Sequence, residues 1–331
     1  MKQTNISIFI PHLGCPHRCS FCDQRSISGE TKLPRGVDVT ELLAQQAEHL
    51  AQKNMTAEIA FFGGSFTAIP REYMIELLES AEAAVRKYPA YNGIRCSTRP
   101  DCIDEEILSL LKSHGMTAIE LGAQSMSDEV LAANERGHTS DDARRAAELI
   151  NRSGFELGLQ MMTGLYGDTP ERCIYTAGEF IKLKPATVRI YPTVILRGTR
   201  LGELYESGEY RSFTLEQTVV LCAELLRRFT ENGIKVIRMG LHASEEVERE
   251  MLGGVYHPAF RELCESRLFL NDMKKLLSPM NKGEYIIYTD GRNISKAIGS
   301  RRCNIEALAR EGYAVAVRER SGEYLLAEPK K

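Results

Sequence analysis

Short apolar and β-branched runs alternate along the chain with longer amphipathic segments. Runs of this length are typical of buried strands, and the longer segments are typical of helices packed on them. The predicted strands are Ile6–Ile10, Glu58–Phe62, Gly93–Ser97, Ala118–Leu121, Glu156–Met161 and Thr187–Tyr191. The predicted helices between them begin near Val39, Arg71, Asp104, Asp141 and Pro170. This alternation predicts an α/β fold with parallel strands, either a partial open barrel or a doubly wound sheet, because six units are too few for an eight-fold barrel.

The pattern changes after Tyr191. A further helix is predicted at Leu215–Thr230, a further strand at Ile234–Arg238, and a loop rich in glycine, histidine and proline at Gly253–Phe260. From Glu284 onward, short strands and short helices follow one another in a new rhythm. We therefore expect a core at residues 1–240, a connecting helical and loop segment at 241–281, and a small C-terminal α+β module at 282–331.

Composition places the chain among ordinary globular proteins. Of its 331 residues, 43% are hydrophobic and 26% are charged, and no apolar run is long enough to span a membrane. The N-terminus lacks the pattern of a signal peptide, so we expect a cytoplasmic protein without membrane contact. The net charge of -3 does not favour nucleic-acid binding by the whole chain, but from Lys282 onward ten basic residues outnumber seven acidic ones.

Three of the nine cysteines lie together: Cys15, Cys19 and Cys22 form a C-x3-C-x2-C pattern just after the first predicted strand. Thiolates are soft ligands that hold iron–sulfur clusters. Three thiolates leave the fourth iron of a cubane without a protein ligand, and an open metal site is typical of catalysis. The alternatives are a structural zinc site completed by His12 or His17 and an electron-transfer cluster.

This cysteine spacing resembles that of the radical S-adenosylmethionine (SAM) superfamily. The resemblance implies a partial (β/α)6 TIM-like barrel of the radical SAM type, with the small C-terminal α+β extension added. It also implies a [4Fe-4S] cluster whose open iron binds SAM, and reductive cleavage of SAM to a 5′-deoxyadenosyl radical. A donor such as flavodoxin or ferredoxin would supply the electron. Phe21 matches the aromatic position of the family that lies near the adenine.

A second resemblance lies after the second predicted strand. Gly63, Gly64 and Ser65 stand where the family has its glycine motif, whose backbone binds the amino group of SAM. Glycines at a strand end let a backbone approach a ligand closely, although two glycines alone are usually only a turn. We therefore expect these residues to form part of the SAM site.

Later strand ends resemble motifs of one branch, shared by the catalytic subunit of Elongator and, more distantly, by oxygen-independent coproporphyrinogen oxidases. The resemblance implies that Ser97 and Gln160 approach the ribose hydroxyls and that Gln124 lies near the methionine and adenosine moieties. It also implies that Arg136 pairs with the SAM carboxylate, which suits the guanidinium fork. Ser97 is a departure, because that branch usually has Glu there.

The substrate expectation depends on the segment Arg189–Leu201, which resembles the Elongator catalytic subunit. That family modifies carbon 5 of the wobble uridine in tRNA with acetyl-CoA as the source of the added group. Neither an acetyltransferase segment nor the family's long extra cysteine spacing follows here, so we expect a short bacterial relative with the radical half, acting on tRNA or another RNA. The alternatives are an enzyme for a small molecule such as a tetrapyrrole, and an iron–sulfur electron carrier or structural metal protein.

Two further groups of residues are candidates for substrate contacts, and no catalytic residue is assigned. His242 and His257 could line the substrate side of the barrel and handle protons there. Cations of the C-terminal module could bind RNA phosphates. These cations are Arg292, Lys296, Arg301, Arg302 and Arg310.

Overall fold

A curled, all-parallel sheet of seven strands forms the centre of the protein. The computed structural model describes residues 2–10, 13–15, 18–23, 32–242 and 244–330, and the strand order of this sheet is β1-β2-β3-β4-β5-β6-β8. Its strands are β1 (Lys2–Phe9), β2 (Met55–Phe62), β3 (Tyr91–Thr98), β4 (Met116–Gln124), β5 (Glu156–Thr163), β6 (Thr187–Pro192) and β8 (Lys235–Met239). The α/β partial barrel is confirmed, and its seventh strand is the one predicted at Ile234–Arg238.

Helices connect the strands and cover the outer face of the sheet. They are α1 (Gly36–Gln52), α2 (Arg71–Lys87), α3 (Glu105–Ser113), α4 (Asp128–Ala133), α5 (Ser140–Arg152), α6 (Pro170–Leu183), α7 (Arg200–Glu206) and α8 (Leu215–Glu231). Side-chain caps fix several starts: the Asp104 carboxylate accepts the Ile107 N–H at 2.7 Å, and Thr139 caps α5 in a capping box with Asp142. Among the described residues, no helix is long and apolar enough to cross a bilayer.

The strands have two chemically different faces. Side chains of successive strand residues point to opposite faces, so one set packs under the helices and the other faces the barrel interior. On β3, Ile94 and Cys96 are fully buried in the hydrophobic core, whereas Arg95 and Ser97 alternate with them. On this strand, the side chains that face the barrel interior therefore include a charged and a polar group, whereas Ile94 and Cys96 pack under the helices.

Two short strands after β6, one before β8 and one after it, lie outside the main sheet. β7 (Val194–Leu196) pairs antiparallel with β9 (Met251–Gly254), which follows α9 (Glu245–Glu250). The predicted loop at Gly253–Phe260 therefore starts too early, because its first two glycines complete β9. At Gly254 the φ of +86° and the backbone of Thr193, 2.4 Å from where a Cβ would stand, both exclude a side chain.

The last part of the chain is a small α+β unit on one long helix, α10 (Phe260–Leu277). Its strands are β10 (Gly283–Thr289), β11 (Tyr313–Glu319) and β12 (Leu326–Pro329), and its helices are α11 (Ile294–Ile298) and α12 (Cys303–Arg310). β10 lies between a parallel β11 and an antiparallel β12. Phe260 of α10 belongs to the main core and Met273 to the core of this unit, so the domain boundaries at 240 and 281 stay predictions.

Candidate active site

The cysteine loop that follows β1 interlocks with the loop that follows β2. The Ser65 N–H donates to the Leu13 carbonyl at 3.0 Å. A Cβ on Gly64 would stand 2.0 Å from that same carbonyl oxygen, and one on Gly14 would stand 2.2 Å from the Ser65 oxygen. Both glycines also have positive φ, +52° for Gly64 and +76° for Gly14. Only glycine at both positions allows the two backbones to approach this closely.

Two distant segments hold the other end of the cysteine loop. The backbone N–H of Ser20 donates to the Asn134 carbonyl at 3.1 Å, and the Ser20 hydroxyl donates to the Asn134 side-chain oxygen at 2.8 Å. The Leu201 N–H donates to the Ser20 carbonyl at 2.7 Å. Asn134 is fully buried and also donates to the Tyr166 carbonyl at 2.9 Å. The sequence analysis assigned no role to Asn134, which the structure places as a support of the cysteine loop.

A buried guanidinium contacts the cysteine loop directly. Arg136 donates through Nη1 to the Cys19 sulfur at 2.9 Å and lies 5.9 Å from the centre of the Phe21 ring. Burial and the Cys19 thiol raise the pKa of Cys15, whereas the positive charges of Arg99 and Arg136 act to lower it. Cations beside the thiols favour the thiolate form that iron requires.

The three thiols match the number of protein ligands of a cubane that has one open iron. Among the described residues, no three side chains of His, Cys, Asp or Glu surround one point as ligands of a single metal ion would. A cubane instead takes one thiolate for each of three irons, so its ligands need not converge on one point. His12 and His17, the ligands of the alternative zinc site, lie outside the described residues.

A cavity of about 540 Å³ opens beside this loop, within the size range of small-molecule sites. Six of the predicted site residues line it: Phe21, Cys22, Gly63, Ser97, Gln124 and Gln160. His242 also lines it, whereas the Nδ1 of His257 accepts the Ala259 N–H at 3.1 Å near the start of α10. The two histidines predicted for the substrate side therefore have different surroundings, and only His242 is among the lining residues.

Ser65 and Arg136, also predicted for the SAM site, are buried and are not among the lining residues. The Ser65 hydroxyl bonds with the Thr98 hydroxyl at 2.8 Å and accepts the Arg99 N–H at 3.3 Å. Arg136 donates through Nη2 to the Gly122 carbonyl at 2.5 Å. The observed role of both side chains is to hold the loops together, and their contacts with SAM stay predictions.

Four buried side-chain atoms have no partner within the described structure: Nη1 of Arg99, Nδ1 of His138, Oε1 of Gln124 and Nε of Arg136. The last two belong to residues that are predicted for the SAM site. Gln124 sits at a bulge in β4 and has a φ of +66°, a backbone conformation that is costly for a residue with a side chain. An unsatisfied acceptor and an unsatisfied cationic donor match the amino and carboxylate groups of SAM. The residues present therefore fit the cofactor that the sequence predicts.

A buried ion-pair network adjoins the cavity through Arg189, which lines it. Glu120, 1% exposed, accepts from Arg189 at 2.6 and 2.9 Å and from Arg95 at 2.8 Å, and Arg95 also pairs with Glu58 at 2.7 Å. Burial alone would raise the pKa of Glu120, but the charge and hydrogen bonds of Arg189, with Gln160 and Arg95, hold it below the usual range. Glu120 is therefore an anion fixed between two guanidinium groups.

Glu120 also orients Gln160. The Gln160 Nε2 donates to Glu120 Oε2 at 3.0 Å and to the Ser97 hydroxyl at 3.4 Å. Because an ionised carboxylate only accepts hydrogen bonds, the amide nitrogen must face Glu120, which leaves the Gln160 oxygen as an acceptor. Gly158 makes room for this arrangement, since a Cβ there would stand 2.8 Å from the Glu120 side chain. An acceptor at this place suits the predicted contact with a ribose hydroxyl.

The sequence analysis gave no role to Glu120, Arg95 or Arg189. Their signal was present, because polar residues at every second position of a predicted buried strand must share one face. Arg95 with Ser97 on β3 and Arg189 with Tyr191 on β6 follow that spacing. Alternation of this kind within parallel strands marks the face that points into the barrel.

Replacing Glu120 with Gln should lower the free energy of unfolding by about 3–5 kcal/mol, because it leaves the Arg189 charge buried without an anion and removes one of the carboxylates that pair with Arg95. Glu156→Gln is the matched control. Its carboxylate lies 3.5 Å from Arg95 but is 43% exposed, so about 1 kcal/mol or less is expected. Urea denaturation of both variants measures the difference, and equal losses would show that Glu120 does not anchor the network.

Comparison with known proteins agrees with these features. The model of the family described as the radical SAM superfamily matches residues 9–180, and that of the radical SAM C-terminal domain matches residues 185–269. An uncharacterised protein of Methanocaldococcus jannaschii is 30% identical over 232 residues, covering 66% of this chain and 70% of that protein. Elongator complex protein 3 of Mus musculus is 30% identical over 244 residues, covering 68% of this chain.

The match covers only part of these named relatives. It spans 44% of the mouse protein and 45% of the tRNA uridine(34) acetyltransferase of M. jannaschii, which is 29% identical over 244 residues. The solved structure of Elp3 from Methanocaldococcus infernus superposes with a TM-score of 0.58 at 19% identity, covering 75% of this chain and 61% of that one. At this identity the superposition shows a shared fold.

Proposed function

Because the chain belongs to the radical SAM superfamily, a family of enzymes with SAM and a [4Fe-4S] cluster, we propose that it generates a 5′-deoxyadenosyl radical and uses it to modify an RNA. The cluster ligands are Cys15, Cys19 and Cys22. When bound and reduced by a flavodoxin or ferredoxin, the cluster supplies the electron that cleaves the sulfonium of SAM. The observation that carries the proposal is the cavity itself, which meets the cysteine loop at Cys22 and Phe21.

Protein groups around that cavity position SAM. The Gln160 oxygen, turned outward by Glu120, accepts a hydrogen bond from a ribose hydroxyl, and Ser97 lies beside it. The unpartnered Gln124 oxygen accepts from the amino group, and Arg136 compensates the carboxylate. Phe21 offers an apolar face to the adenine. The contacts of Gln124 and Arg136 would satisfy buried atoms that otherwise have no partner within the described structure.

The RNA substrate is proposed from the relatives. One relative named above acts on uridine 34 of tRNA, and the similarity to it and to the Elongator proteins spans most of this chain's core. A base can enter the cavity only after it is unstacked, which is easiest in a single-stranded loop. The rest of the RNA must then be held outside the cavity through its phosphates.

The C-terminal unit supports such a role by its position. Active sites of parallel α/β folds lie at the carboxyl ends of the strands. Gly240 follows the carboxyl end of β8, and a Cβ there would stand 3.2 Å from Phe260, where α10 begins. Asn304 at the start of α12 donates to Ser266 of α10 at 3.0 Å, and Lys296 pairs with Glu265 at 2.8 Å. The basic loops of the unit therefore lie beside the half of α10 nearer the cavity mouth.

Within the part of the chain that the structure describes, three of the five cations that are predicted to bind RNA in this unit form salt bridges with acidic residues, and two do not. Arg292 pairs with Asp290 at 3.2 Å, Arg310 with Glu306 at 3.8 Å, and Lys296 with Glu265. Arg301 and Arg302 are exposed, and neither has a salt bridge among the described residues. Both have positive φ, +50° and +64°, in the turn before α12. These two cations remain available to phosphates.

Reversing both charges, with Arg301→Glu and Arg302→Glu, should weaken tRNA binding and flatten its salt dependence. For each phosphate that is no longer neutralised, the slope of log K against log salt should fall by roughly 0.7–0.9. Filter binding or fluorescence anisotropy across a salt series measures both quantities. The same preparations should retain SAM binding, because neither residue lines the cavity.

Arg152→Glu with Lys184→Glu is the matched control for charge. Both residues are exposed, and they stand at the ends of α5 and α6 that lead into β5 and β6, so they lie at the opposite end of the barrel. The proposed tRNA contact of Arg301 and Arg302 would be refuted by either of two results. One is unchanged affinity for tRNA after both charges are reversed, and the other is an equal loss of affinity in the control pair. A native enzyme that does not bind tRNA at all would favour a small-molecule substrate.

A further inference from the structure

Two arginines stand side by side on the cavity wall, on the part formed by β6 and β8. Arg189 and Arg238 are register partners in these adjacent parallel strands, and both side chains line the cavity. Like charges on neighbouring strands repel, so such a pair requires compensation. The structure supplies compensation for only one of them.

The charges of the buried ion-pair network beside the cavity are otherwise balanced. Glu120 neutralises Arg189, and Glu58 neutralises Arg95. Arg238 donates through Nε to the Gly240 carbonyl at 3.1 Å, which leaves its two terminal nitrogens. No carboxylate in the described part of the chain lies within 4.0 Å of it. One half-buried guanidinium on the cavity wall therefore has no counter-charge among the described residues.

We propose that Arg238 binds an oxyanion of the substrate, a carboxylate or a phosphate, inside the cavity. The guanidinium presents paired N–H groups in a plane that matches either oxyanion. A half-desolvated cation that meets an anion in a cavity gains more from the pairing than it would in water. The inference rests on the proposed radical chemistry only in assigning this cavity to the substrate.

The position of Arg238 separates this anion from SAM. The residues predicted to contact the ribose and the amino group follow β2 or lie on β3, β4 and β5, whereas Arg238 lies on the edge strand β8, two strands beyond β5. The predicted partner of the SAM carboxylate, Arg136, lies beside the cysteine loop instead. Val194, Leu241 and His242 line the cavity as well. The anion would thus be held at the wall formed by β6 and β8, apart from the predicted SAM contacts.

The experiment is isothermal titration calorimetry on the reconstituted enzyme saturated with SAM, so that the SAM carboxylate site is already filled. Two matched pairs of probes are used: malonate against its neutral diamide malonamide, and uridine 5′-monophosphate against uridine. We expect the anion of at least one pair to bind more tightly than its neutral partner. Arg238→Gln should weaken that anion about tenfold, which equals about 1.4 kcal/mol, and leave the neutral probe unchanged. Arg238→Lys should retain part of the preference for the anion. Arg152→Gln, a control at an exposed site, should retain all of it.

The outcomes are distinct. A preference for malonate assigns the anion to a carboxylate, and a preference for the nucleotide assigns it to a phosphate. Wild-type enzyme that prefers neither anion, or a preference that survives Arg238→Gln, overturns the assignment. These probes test the oxyanion site independently of the RNA proposal. If the wild-type enzyme does not modify tRNA, but its preference for the anion disappears in Arg238→Gln, the oxyanion site is supported and the RNA substrate is refuted.

Discussion

Replacing Cys15, Cys19 and Cys22 together with alanine will abolish iron–sulfur binding and the release of 5′-deoxyadenosine. Each thiolate holds one iron of the cubane, and nothing else among the described residues gathers three ligands that could take over. Anaerobic reconstitution of the wild-type chain should give about four irons per chain, and the triple variant close to none. Iron analysis, the cluster absorption band and product analysis with dithionite and SAM measure the loss.

Cys303→Ala is the control, because that cysteine is exposed on the C-terminal unit, far along the chain from the cysteine loop. It should load iron and cleave SAM like the wild type. If the wild-type chain contains stoichiometric zinc and takes up no iron, the assignment of an iron–sulfur cluster is wrong and a structural zinc site is favoured. A cluster that survives the triple substitution would show that other ligands hold it.

Local periodicity was sufficient to predict the main sheet. Each strand of that sheet overlaps a predicted short apolar or β-branched run, although β1 begins at Lys2 rather than at Ile6. The pair β7 and β9 could not be predicted in this way. Val194–Leu196 is only three residues long, and its partner Met251–Gly254 is distant in the chain and ends in two glycines. Such pairing depends on tertiary contacts rather than on a local pattern.

The cavity was predictable in part for a similar reason. Residues within motifs, such as Gln124 and Gln160, could be named because the motifs carry them in order. The ion pair of Glu120 with Arg189 joins residues 69 positions apart and depends on the register of β4, β5 and β6. No local pattern encodes that register to one residue, and a shift by one would turn every side chain to the other face. That no carboxylate in the described part of the chain pairs with Arg238 becomes evident only once all these pairs are known.

Gly64→Ala is expected to disrupt the cysteine loop, both through backbone strain at Gly64 and through a steric clash with Leu13. At φ +52° any side chain costs roughly 1–2 kcal/mol. The added Cβ would also stand 2.0 Å from the Leu13 carbonyl oxygen, which the Ser65 N–H fixes in place. Because Leu13 leads directly into Gly14 and Cys15, the displacement should reach the first cluster ligand. Iron loading should fall by about tenfold or more, and 5′-deoxyadenosine formation should fall with it.

Gly115→Ala is the matched control for this effect. Gly115 has a similar φ, +74°, and nothing lies within 4 Å of the position where its Cβ would stand. Both variants therefore carry the strain of a left-handed backbone, but only Gly64→Ala adds the contact with Leu13. The thermal unfolding temperatures of the two apo-proteins measure the effect of backbone strain, which both variants share. Their iron contents measure the effect of the contact with Leu13, which only Gly64→Ala adds. If both variants load iron like the wild type, the close approach of the two loops does not position the cluster, and the glycine after β2 would have to act through SAM alone.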